Sequence, residues 1–116
     1  MNQNCEDNLM TLQEIARELS ARSIYLIGVL FPQSPNYRST ECFGFEGPTR
    51  ATAQEIISRL RTLEQQNDHF HLYDANLSGE HDYVPVDFFD ECHLSDVGGQ
   101  KFSSRINPVI DSILGW

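Results

Sequence analysis

The chain has 116 residues, 40% of them hydrophobic, which is enough for one small domain with a modest core. Eight basic residues against seventeen acidic ones give a formal net charge of −9. That balance argues against a phosphate-binding face and so against nucleic acid as a partner.

The opening residues MNQNCEDN are polar and carry no basic, apolar secretion leader. The compartment stays open, since a longer parent protein could be secreted or lipid-anchored. Leu9, Leu12, Ile15, Ala16 and Leu19 recur at helical spacing, and a first helix is expected from about Asp7 to Ala21. Asp7 caps it if it begins early; Thr11 and Glu14 form a capping box if it begins late. Ser23 to Phe31 reads as a strand. Its core, IYLIGVLF, is apolar at nearly every position, so both faces should be covered, as in a parallel sheet between helices. The run is too short to span a bilayer.

Pro32 ends that strand, because it lacks the donor a ladder needs. The loop PQSPNYRSTECFGFEGP follows, with Tyr37, Phe43 and Phe45 either lining a pocket or pinning the loop down. Gly47-Pro48 is expected to open a second helix, with the proline at the first helical position and Ala53, Ile56, Ile57, Leu60 and Leu63 as its buried stripe. Phe70 to Asp74 reads as a second strand. After the loop ANLSGEHDYVPVDFFDECH, Ser95 caps a last helix whose apolar face is Phe102, Ile106, Val109, Ile110 and Ile113. Pro108 should kink that helix near Asn107 or restart it there.

The order helix, strand, helix, strand, helix implies an α/β fold with parallel strands and right-handed crossovers. Two strands make a very small sheet with an unpaired apolar edge. The sheet is therefore expected to be completed by a homodimer, a partner chain or a preceding part of the protein.

Both long loops follow strand carboxyl ends, where ligands bind in open α/β sheets. In the second lies DECHLSDVGG. Asp90 and His93 are close enough to share a turn, and a carboxylate on one imidazole nitrogen leaves the other free to take a proton. The plain alternative is a structural turn, with the aspartate capping backbone donors. Cys92 is set aside as a nucleophile, because side chains adjacent in sequence are expected to diverge. Cys5, Cys42 and Cys92 are odd in number and lack CxxC spacing, which argues against a disulfide framework and a zinc knuckle. His81, Asp82, Asp90 and His93 are metal-ligand types, but nothing in their spacing demands an ion, and no cofactor is expected. Tyr83, Phe88 and Phe89 read as core anchors of the loop in preference to a substrate-stacking platform. Ser34 and Ser78 lie in loops and on no strand-to-helix elbow.

Asp90, His93, Leu94, Ser95 and Gly98, followed by an amphipathic terminal helix, resemble the last conserved block of the SGNH (GDSL-like) hydrolases. The resemblance extends over Ser23 to Leu114, though only the Asp–His block is specific. It implies a flavodoxin-like three-layer fold, of which residues 1–116 would be one unit from the later half. It also implies esterase chemistry on an acylated carbohydrate or lipid, with Asp90 as orienting acid and His93 as general base. That family's Gly-Asp-Ser and Gly-x-Asn-Asp blocks are missing, and Asn67-Asp68 lies at a helix end. The nucleophile and the oxyanion-hole donors are therefore unmatched, and the chain alone is expected to be inactive or nearly so. GVLFPQSPNYRSTECFGFEGP and GEHDY also resemble the carboxyl-terminal region of large uncharacterised paralogous, lipoprotein-like proteins of fibre-degrading bacteria. The rival expectation is a non-enzymatic binding module using the two loops.

Overall fold

The computed structural model describes residues 1–116. Three helices, α1 (Gln3–Ala21), α2 (Arg50–Gln66) and α3 (Asp96–Leu114), alternate with two strands, β1 (Leu26–Leu30) and β2 (Phe70–Asp74). The strands pair as a two-stranded parallel sheet, so the chain is mixed α/β with the expected element order. Single 3-10 turns occupy Pro35–Tyr37, Leu77–Gly79 and Pro85–Asp87. No helix is long and apolar enough to cross a membrane. The chain divides into two compact units, Met1–Val29 with Ala51–Leu72, and Leu30–Arg50 with Tyr73–Trp116.

In the first unit, α1 starts four residues before Asp7. Asn2 is its cap, accepting from the Cys5 N–H at 2.9 Å, so neither Asp7 nor a Thr11–Glu14 box is needed. Ala16 of α1, Leu63 of α2 and Phe70 of β2 form the buried core, with Leu12 and Leu26 packed against it. Ile15, on the expected stripe, is instead 45% exposed. Glu6 and Arg59 join α1 to α2 at 2.6 Å. Gly28 lets Phe70 and Leu72 pack against β1, since a β-carbon there would meet Leu72 Cδ1 at 3.3 Å. The expected coverage of both faces of β1 is not found. Its residues are all half-buried, and Ile24 and Tyr25 ahead of it are exposed. With one neighbouring strand only, an apolar run is not sufficient for full burial.

In the second unit, Pro48 does not open α2. The helix begins at Arg50, because Phe43 N–H is bonded to the Pro48 carbonyl and Cys42 bridges to Thr49, which holds that segment in the loop. Two arginines then fasten the loops. Arg50 donates to the carbonyls of Tyr37 (2.6 Å), Thr40 (3.1 Å) and Ser78, and Arg38 to those of Gly79 (2.7 Å) and His81 (2.6 Å). The rigid guanidinium fork satisfies several turn carbonyls at once, which a lysine would not. α3 runs through Pro108 without restarting at Asn107. Its Phe102 stacks on Phe31 with ring centroids 5.0 Å apart and meets Tyr73 at 5.9 Å. Gly115, at φ 75, takes the left-handed cap.

Candidate functional site

A short hairpin carries the site. Phe88 and Leu94 form an antiparallel bridge, and Phe89 N–H donates to the His93 carbonyl at 2.8 Å. Ser34 N–H donates to the Glu91 carbonyl at 3.1 Å, tying the hairpin tip to the segment after β1. On the other flank Ser95 N–H donates to the Asp87 carbonyl at 2.8 Å, while the Ser95 hydroxyl donates to the Val86 carbonyl at 2.8 Å and accepts from Gly98 N–H. One serine therefore caps α3, as expected, and also closes the base of the hairpin.

Inside the tip, Asp90 is the organising group. Its Oδ1 accepts from the backbone N–H of Cys92 (3.0 Å) and of His93 (2.8 Å), the short-range turn that aspartate favours. Both carboxylate oxygens lie 2.9 Å from His93 Nδ1. The Cys92 N–H, then the His93 ring, hold the Asp90 carboxyl below its ordinary range. An ionised carboxylate only accepts, so in the neutral ring Nδ1 carries the proton and Nε2 is the free acceptor. The His93 side chain is 71% exposed and that of Asp90 46%. His93 borders a cavity of about 420 Å³ with Phe31, Gln33, Cys92 and Leu94. Phe31 and Gln33, which directly follow β1, were not legible as site residues. The available signal was their position at a strand's carboxyl end.

Cys92 does not diverge from its neighbour as expected, because the turn folds its Sγ to 3.4 Å from His93 Nδ1. It meets the nitrogen already committed to Asp90. Partial burial and then the Asp90 charge push its thiol up, away from the reactive thiolate. Donor atoms of Asp90, Cys92 and His93 all lie within 4.8 Å of one another. An ion there would have to displace the Asp90–His93 hydrogen bond and deprotonate a thiol held protonated by its surroundings.

His81 does not join this cluster. It is 5% exposed, its Nδ1 accepts from Tyr83 N–H (3.1 Å), and its Nε2 therefore donates to the Gln33 carbonyl (2.7 Å). Burial lowers its pKa and keeps the ring neutral. Asp82 is bound to Arg105 through two contacts, of which Nη2–Oδ2 is 2.9 Å. Tyr83, at 2% exposure, is the core anchor expected, and Phe88 is half-buried. Phe89 is 82% exposed, since successive side chains on a bridged strand point opposite ways. Ser34 is buried and its Oγ accepts from Asn36 N–H at 3.3 Å, and Ser78 sits at φ 55 within a 3-10 turn. Asn67 follows α2 and bonds back to the Leu63 carbonyl at 2.9 Å. Comparison of the chain with family models, with curated proteins and with solved structures returns no match.

Proposed function

We propose that the chain is an esterase-type module of the SGNH kind, corresponding to the later half of a flavodoxin-like hydrolase domain. In this reading Asp90 orients His93, and His93 Nε2 takes the proton of an attacking hydroxyl that the chain does not itself supply. The observation that carries the reading is the double hold of Asp90 on His93, ring and backbone together, beside a cavity walled by Phe31 and Leu94. Ester or acetyl groups on a carbohydrate or lipid are the substrate class.

The test is acyl transfer from a short-acyl chromogenic ester, with and without a small alcohol as external nucleophile. General-base help is typically worth 10²–10⁴-fold, and an exposed pair acting on an untethered alcohol should give about tenfold over buffer. The expected result is little turnover by the chain alone and an alcohol-dependent rate that is lost in His93→Ala. Efficient turnover without alcohol, abolished by Ser34→Ala or Ser78→Ala, would show that the nucleophile is internal and overturn the reading.

A second reading, a binding module, is favoured by one feature. Phe89 (82% exposed), Val86 (66%) and Val97 (55%) leave apolar surface beside a depression of about 650 Å³. A Phe89→Ser variant that loses ligand capture while His93→Ala retains it would favour that reading.

A further inference from the structure

The two edges of the sheet are treated differently. Leu26 N–H donates to His69 O (2.8 Å) and Ala75 N–H to Leu30 O (2.9 Å). In a parallel pair this parity turns Leu26, Gly28 and Leu30 toward β2, and the backbone groups of Ile27 and Val29 away from it. On β2 the outward residue Leu72 is closed off by α2. Its N–H donates to Glu64 Oε2 at 2.5 Å, its carbonyl accepts from Arg61 at 2.9 Å, and Arg61 and Glu64 pair at 3.1 Å. No equivalent cover lies over Ile27 and Val29. The edge also lacks the usual protective features. No charged residue occurs between Arg22 and Arg38, and no proline interrupts Leu26–Leu30. Ile24, just ahead of the strand, is 47% exposed.

We infer that a second copy of this chain adds to β1, antiparallel, about a two-fold axis through Gly28. The strand is self-complementary in that register. Ile27 of each copy faces Val29 of the other and exchanges both backbone hydrogen bonds with it. Gly28 falls at the close, non-hydrogen-bonded position, where opposing Cα atoms approach to about 4.5 Å. The side chains of Ile27 and Val29 then form an apolar cross-strand pair. The charge of −9 does not oppose the contact locally, because the edge itself is uncharged. The closed edge of β2 ends the association at two copies, where an open second edge would allow fibres.

Sedimentation of the full chain over a hundredfold concentration range, with amide exchange read residue by residue, tests this. The expected result is a dimer in which the Ile27 and Val29 amides are protected. Val29→Lys should weaken self-association about a hundredfold, roughly two tenfold steps of 1.4 kcal/mol each. Should Val29→Lys misfold, Arg61→Ala combined with Glu64→Ala provides the second arm. Uncapping β2 should convert the dimer into larger assemblies. A monomer at every concentration would overturn the inference, as would a dimer whose Ile27 and Val29 amides exchange freely.

Discussion

The carbonyl oxygen of Asp87 lies 1.9 Å from where a β-carbon on residue 98 would stand. Gly98 is thus required by close approach of the 3-10 turn to the start of α3, while the β-carbon site of its neighbour Gly99 has nothing within 4 Å. Gly98→Ala should destabilise by about 3 kcal/mol or more, through overpacking against backbone. Gly99→Ala should stabilise by about 0.5–1 kcal/mol, since it removes chain entropy within a helix. Thermal unfolding of the two variants should shift in opposite directions.

Asp87 and Asp82 both pair with cations but differ in burial. The Asp87 side chain is 4% exposed and accepts from Val84 N–H (2.9 Å) and Lys101 Nζ (3.1 Å), whereas that of Asp82 is 70% exposed. Asp87→Ala leaves the Val84 N–H without its acceptor and takes one partner from the Lys101 ammonium, which keeps the Asp82 carbonyl at 2.8 Å, and should cost about 2 kcal/mol. Asp82→Ala should cost clearly less, since solvent screens an exposed pair even though Arg105 holds the Asp82 carboxyl down to about 2. Denaturant titration at neutral pH separates the two. The Val84 N–H and Lys101 lower the Asp87 pKa. Its contribution is therefore full above the unfolded value of about 3.9 and fades as pH falls through the folded one.

His81 should produce a separate, milder acid step. Its folded pKa is lowered by burial, so the unfolded chain binds a proton first. Stability from this group is complete above about 6.5 and declines as pH falls below it. In His81→Gln the slope of stability against pH between 7 and 5 should flatten, while the carboxylate step below about 4 remains. An unchanged slope would mean that His81 is not the titrating group.

Much of this fold was legible from periodicity. Phe70–Asp74 and the Ser95 cap were readable because apolar patterning and a hydroxyl before a helix are local signals. Helix starts were less so. Asn2 captures the first turn of α1 earlier than Asp7 would, and the bridge between Cys42 and Thr49 withholds Pro48 from α2. Neither event is local to the residues it displaces. The pairing of Asp90 with His93 follows from a three-residue spacing, so sequence was enough to bring them together. Gln33, Phe31 and the arginine clamps of Arg38 and Arg50 depend on contacts between residues far apart in sequence, such as Arg38 with His81 and Arg50 with Ser78, and no spacing rule reveals them. The apolar run of β1 suggested coverage that a two-stranded sheet does not provide.

The ring nitrogens of His93 offer the most direct check on the acid–base account. Nitrogen NMR of the labelled chain at mildly alkaline pH should find the proton on Nδ1 and the lone pair on Nε2, with that preference lost in Asp90→Ala. A ring protonated at Nε2, or one whose tautomer is indifferent to Asp90, would contradict it.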